Sequence, residues 1–238
     1  MTAHVLMLSS SRKDQEAYLE HARAHILAHL GDIRDILFIP YAAVTKTYDE
    51  YVDAVAEALP ECTVTGIHSY EDPVCAIHQA HERGQAILVG GGNTFHLLHQ
   101  LYNLGLIVPL KHVIADGTPY IGWSAGSNIC GLSIRTTNDM PIIEPPSFDA
   151  LAIVPFQLNP HYSDYQPPNH NGETRDERLT EFTTLANTTP VVAIREGTAL
   201  LYTDNTLTLE GELGGFVFQS DEKRPIDAGS DLNYLLKE

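Results

Sequence analysis

From its start to about Ser124 the chain alternates short aliphatic runs with longer amphipathic stretches. Strands buried on both faces read as near-continuous aliphatic runs, and parallel strands need crossovers long enough to hold a helix. The runs predict strands over residues 4–8, 36–39, 63–68, 86–89 and 120–122, with helices over 15–30, 48–59, 74–83, 94–104 and 108–116. Short polar or Gly/Pro turns join them, which predicts an α/β fold with a doubly wound, mostly parallel sheet. In such sheets, ligands bind at the carboxyl ends of the strands.

After residue 130 the texture changes. Residues 136–140 are polar, 141–146 are punctuated by proline, and 162–172 are rich in Asp, Asn, Pro and Tyr, suiting that last segment to be a lid. Residues 191–194, 199–202, 206–209 and 215–218 read as short strands between Asp-Asn, Gly-Glu and Gly-Gly turns, and are expected as antiparallel additions to the sheet. No internal repeat or long linker interrupts the 238 residues, so residues 1–238 are expected to form a single domain.

The charge balance limits what the chain can bind. With 31 acidic against 14 basic side chains, the formal net charge is −17. That field repels polyanions and anionic lipid headgroups, so neither nucleic acid nor membrane is an expected partner. It also repels small acidic ligands, so a site that takes one needs a local cation. The apolar start lacks the basic flank of a leader, and Cys62, Cys75 and Cys130 form no CxxC pair. Both features suggest a reducing, cytoplasmic setting.

The strongest local signal is Gly122-x-Ser124-x-Gly126, after an aliphatic strand and before a plausible short helix. A serine on a tight strand-to-helix turn needs small neighbours, and the turn aims the next amide, that of Ala125, at a forming oxyanion. Three glycines, Gly90, Gly91 and Gly92, end the preceding strand; Phe95 spoils a dinucleotide fingerprint, and no P-loop lysine follows. Gly92 is the expected second oxyanion donor. His78 with His81, and His96 with His99, have helical spacing but no convergent third ligand. No metal and no organic cofactor are expected.

Several runs together resemble the peptidase E family of alpha-aspartyl dipeptidases: VGGGNTF at 89–95, IGWSAGSN at 121–128, IRTTNDMP at 134–141, NPH at 159–161 and GETR at 172–175. They match in order and spacing along the chain. The resemblance implies a flavodoxin-like sheet similar to that of class I glutamine amidotransferases, and a serine hydrolase that releases N-terminal aspartate from small acidic dipeptides. It places the nucleophile at Ser124 and the base at His161. Serine at its ordinary pKa is a poor nucleophile, so a histidine must take its proton and return it to the leaving amine. Two carboxylates could orient that histidine, Asp139 and Glu196; a position after a strand favours Glu196, and the other could hold the substrate's amino terminus. Arg175 is the expected partner of the aspartyl carboxylate, which a guanidinium can bind through two parallel hydrogen bonds. Arg135 is a second candidate cation. Asn93, in the glycine run, is also expected to bind substrate.

Two other readings stay open. A cyanophycinase-like or isoaspartyl peptidase would share the serine turn but act on a beta-linked bond, and an inactive small-ligand binding protein could use the same fold. A cysteine-dependent amidotransferase is disfavoured because the turn carries serine. Monomer and homodimer are equally compatible with the sequence.

Overall fold

The computed structural model describes residues 3–169 and 171–236. The first half runs β1 (His4–Leu8), α1 (Arg23–Leu30), β2 (Asp35–Ile39), α2 (Tyr48–Ala58), β3 (Thr63–Gly66), α3 (Pro73–Glu82), β4 (Ala86–Val89), α4 (Thr94–Asn103), α5 (Ile107–Ala115), β5 (Tyr120–Trp123) and α6 (Ala125–Asn128). The second half adds β6 (Gln157–Asn159), α7 (Arg175–Leu185), β7 (Val191–Ala193), β8 (Ala199–Thr203), β9 (Thr206–Glu210), β10 (Gly215–Gln219) and β11 (Glu222–Ile226). A seven-stranded sheet has the order β3-β2-β4-β5-β1-β8-β9. Its first five strands are parallel; β8 pairs antiparallel with β1, and β9 antiparallel with β8.

Alternation along each strand sends side chains to two cores. Val5, Met7, Ile87 and Val89 meet residues of α3, α4 and α5 on one face. Leu6, Leu8, Leu88 and Trp123 meet residues of α1 and α2 on the other. The aliphatic runs of the sequence are therefore the middle layer of a doubly wound α/β fold. Among the described residues, no helix is long and apolar enough to cross a membrane.

The structure departs from the sequence reading in three places. The first helix begins at Arg23 rather than residue 15, because Asp14 and Leu19 take left-handed backbone angles and the Leu19 N–H turns back to the Ser11 carbonyl at 2.8 Å. The resulting irregular segment carries Ser11 and Tyr18 to the strand ends. The third strand stops at Gly66, where a short 3₁₀ turn, Ile67–Ser69, takes over. Residues 191–193 and 215–219 do not join the main sheet; with two strands the sequence did not reveal, β6 and β11, they form a four-stranded sheet of order β11-β10-β7-β6. Within it β6 and β7 run parallel, with Asn159 opposite Ala193, so their carboxyl ends lie side by side.

Candidate active site

The carboxyl ends of β4, β5 and β1, three neighbours in the main sheet, carry the glycine run, Ser124 and Ser9 respectively. Ser124 has φ 54° and ψ −111°, a backbone region that costs a non-glycine residue about 1–3 kcal/mol. Its surroundings enforce the turn. The Ser124 N–H donates to the Leu8 carbonyl at 3.1 Å, and the Ser127 hydroxyl lies 2.6 Å from the Leu8 carbonyl and 2.9 Å from that of Gly122. A Cβ at Gly122 would overlap the Gly126 carbonyl oxygen, so only glycine fits under the turn. Ala125 opens α6, so its N–H has no carbonyl one helical turn back to satisfy it.

The glycine run is held by a second set of contacts. Gly92 has φ 141°, and a Cβ there would overlap the Ala42 carbonyl oxygen. Tyr51, buried in the core, donates its hydroxyl to the Gly91 carbonyl at 2.9 Å and accepts from the Trp123 indole at 3.1 Å. Burial raises the pKa of the Tyr51 phenol, which keeps it a donor.

His161 follows β6 and Pro160, with φ 54°. Its N–H donates to the Ser9 hydroxyl at 2.9 Å, and Ser9, fully buried, donates in turn to the Ile194 carbonyl at 2.9 Å. One hydroxyl thus ties the segment bearing His161 to the segment bearing Glu196. Asn138 donates to the Pro160 carbonyl at 2.7 Å and fixes the approach from the other side.

These supports bring three side chains into line. His161 Nε2 lies 2.9 Å from Ser124 Oγ, and His161 Nδ1 lies 2.7 Å from Glu196 Oε1. An ionised carboxylate only accepts, so Nδ1 carries the ring proton and Nε2 is left to accept from the serine hydroxyl. Asp139, the other carboxylate the sequence offered as partner for the imidazole, is engaged elsewhere. Its Oδ2 accepts from the Thr94 N–H at 2.7 Å, the Thr94 hydroxyl at 2.6 Å and the Thr137 hydroxyl at 3.3 Å, capping α4 from across the cleft.

Two hollows meet at this relay and share Ser124, Asp139 and His161. The smaller, about 220 Å³, is also lined by Ala125, Asn128 and Arg175. Arg175 is the first residue of α7, behind a capping box in which the Thr174 hydroxyl accepts from the Glu177 N–H at 3.1 Å. Its Nη1 is buried with no hydrogen-bond partner among the described residues. Burial, and secondarily the neighbouring Arg178 charge, lower the Arg175 pKa, so an anion placed beside it would relieve a desolvated charge. The larger hollow, about 640 Å³, takes in Gly91, Gly92 and Asn93. Asn93 itself is occupied as a cap: Oδ1 accepts from the His96 N–H at 3.0 Å and Nδ2 donates to the Met140 carbonyl at 2.9 Å. Arg135 lies outside both hollows, its guanidinium 5.1 Å from the Phe148 ring centroid.

Three of the four helical histidines serve local structure, His81 with the Thr118 hydroxyl, His96 with the Tyr41 carbonyl and His99 with the Glu144 carbonyl. Among the described residues, no three His, Cys, Asp or Glu side chains converge as a metal site. The segment expected as a lid is anchored at its start, where Asp164 receives two hydrogen bonds from Arg195 at 2.9 and 2.8 Å; residue 170 of that segment lies outside the described residues. Sequence reasoning overlooked Ser9 and Tyr51. The strand-end rule could have found Ser9, which directly follows β1; nothing in the sequence marked Tyr51.

Residues 5–210 match the model of Peptidase family S51. The chain is 53% identical over 240 aligned positions to the protein named Peptidase E of Shewanella putrefaciens, covering all of both chains. Among solved structures, a peptidase from an acI-B1 Actinobacterium superposes with a TM-score of 0.67 at 15% identity, covering 98% of this chain and 97% of that one. A protein of Listeria monocytogenes EGD-e superposes with a TM-score of 0.65 at 23% identity, covering 89% of this chain and 99% of that one. Both structural matches share the fold.

Proposed function

This chain belongs to peptidase family S51 and is a serine-type peptidase, and we propose that it releases the N-terminal aspartate of Asp-Xaa dipeptides through an acyl-enzyme. Ser124 attacks the aspartyl carbonyl carbon while His161 Nε2 takes its proton. Glu196 holds the imidazole in the tautomer this requires and stabilises the imidazolium that forms. The amides of Gly92 and Ala125 receive the oxyanion; each such donor is worth roughly 3–4 kcal/mol of barrier. The imidazolium then protonates the leaving amine. A water enters, gives its proton to His161 and attacks the ester, and the serine leaves with that proton restored.

Selection of aspartate is assigned to Arg175. The observation that carries this reading is Arg175, which lines a hollow of about 220 Å³ together with Ser124 and His161 and whose Nη1 is buried without a partner among the described residues. A hollow of that size suits a short carboxylate side chain, and the guanidinium answers the need for a cation in a chain of net charge −17. Asp139 lines both hollows and has Oδ1 outside its hydrogen bonds to Thr94 and Thr137, which supports a role in binding the substrate's α-ammonium. The chain acts as one catalytic domain, because the nucleophile comes from one sheet and the base and its acid from the other. Three free cysteines are consistent with a cytoplasmic site of action.

The test is hydrolysis of Asp-Leu, Glu-Leu, Asn-Leu and beta-Asp-Leu by the wild type and by Ser124→Ala. Turnover of Asp-Leu alone, lost in the variant, is expected. Preference for beta-Asp-Leu would move the chain to the isopeptidase reading, and activity that survives in the variant would remove Ser124 as nucleophile.

A further inference from the structure

The larger hollow meets the smaller one at Ser124 but does not include Arg175, and the dipeptidase reading leaves it without a task. Its rim carries Val44 and Ile142, 54% and 56% exposed, while Tyr18 and Tyr51 contribute aromatic surface. Among the described residues it holds one lysine or arginine, Lys46. Six of the lysines and arginines on this acidic chain are paired with carboxylates among the described residues, including Lys13 with Glu212, Arg195 with Asp164 and Lys223 with Asp176. Lys46 makes no such ion pair among the described residues. Its Nζ sits 4.4 Å from the centroid of the Tyr51 ring. The nearby Glu50 carboxylate is committed to the helix cap, accepting from the Thr47 N–H at 2.8 Å and hydroxyl at 3.0 Å. Tyr51 is the residue whose hydroxyl holds Gly91, so the ring under Lys46 is rigidly related to the glycine run and to Ser124.

We propose that this hollow is the leaving-residue subsite and that Lys46 binds the free α-carboxylate of the departing amino acid. The proposal rests on the aspartyl dipeptidase reading and deepens it. An Asp-Xaa dipeptide bears one carboxylate on the aspartyl side chain and another at its carboxyl end, on opposite sides of the scissile bond. The two hollows meet at Ser124 and, among the described residues, each is lined by a single lysine or arginine, Arg175 in one and Lys46 in the other. A volume of about 640 Å³ accommodates any Xaa side chain, with Val44 and Ile142 favouring apolar ones. A third residue would carry the terminal carboxylate onward by about 3.5 Å and leave a neutral amide beside Lys46. Lys46 is therefore a specificity residue for chain length.

The test compares Asp-Leu with Asp-Leu carboxamide, which differ only in the terminal charge, on the wild type, Lys46→Met and Lys46→Arg. The wild type is expected to favour Asp-Leu by about tenfold in kcat/KM, the low end for a charge-assisted contact at a solvated rim. Lys46→Met should erase that preference by raising KM for Asp-Leu about tenfold, while the carboxamide changes less than twofold; Lys46→Arg should restore the preference. Equal wild-type turnover of both compounds, or an equal loss on both in Lys46→Met, would overturn the assignment while leaving the dipeptidase reading intact. Turnover of neither by the wild type would remove that reading and this proposal with it.

Discussion

The turn that carries Ser124 and the segments that carry His161 and Glu196 face each other across under 3 Å, yet they are held in different ways. The serine turn is fixed by backbone packing in the interior of the main sheet: Gly122 touches the Gly126 carbonyl, and Leu8, Gly122 and Ser127 close a compact hydrogen-bonded knot. The histidine lies two residues past a short strand of the second sheet, and single side chains from distant parts of the sequence help set its place, Ser9 on its N–H and Asn138 on the Pro160 carbonyl. Its partner Glu196 is 55% exposed. A strained nucleophile can be enforced locally by sterics, whereas two segments converging from another sheet need polar cross-links to define their distance.

The difference can be broken from either side. Gly122→Ala is expected to have the largest effect. The added methyl has no room, and displacing a reacting group by about 1 Å costs on the order of 10²-fold, so with the lost turn geometry kcat/KM should fall about 10³-fold, measured on Asp-Leu. A loss below tenfold would mean that the turn is plastic. Glu196→Gln should come next, at roughly 10²-fold in kcat. Amide replacement of a buried triad acid costs about 10⁴-fold, and the exposure of this carboxylate moderates the loss. Asp139→Asn is the control and should act mainly through KM; an effect on kcat as large as that of Glu196→Gln would return Asp139 to the role of orienting acid.

The smallest of the three effects sharpens the contrast. Ser9→Ala removes the hydroxyl shared by the His161 N–H and the Ile194 carbonyl. The His161 N–H is then left unpaired, while the Ile194 carbonyl keeps the Tyr162 N–H at 3.0 Å, and the loss should cost about 1–3 kcal/mol of stability, read from denaturant midpoints. The histidine should loosen, so kcat drops about tenfold with KM within twofold. A purely structural role would lower stability and leave kcat per folded molecule unchanged.

The five parallel strands and four of the five helices between them were legible because burial on both faces writes itself as aliphatic runs and amphipathic spacing. β6 was not, since Gln157, Leu158 and Asn159 carry no strand preference and are held by pairing with β7. Nor was β11, an edge strand whose Glu222, Lys223 and Arg224 read as loop. In the site, Ser124 and His161 were legible because each lies within a short motif. The choice between Asp139 and Glu196 was not, because it depends on β6 and β7 running side by side, which brings the third residue after Ala193 against the second after Asn159. Lys46 and Ser9 gain their meaning only from contacts distant in sequence.

The most direct test of the account is labelling with a fluorophosphonate, followed by intact mass and peptide mapping. The expected result is one adduct per chain on Ser124, absent from Ser124→Ala and slowed at least about 10³-fold in His161→Ala, where the serine has lost its base. An adduct on another residue, or undiminished labelling without His161, would contradict a nucleophile at Ser124 activated from the second sheet.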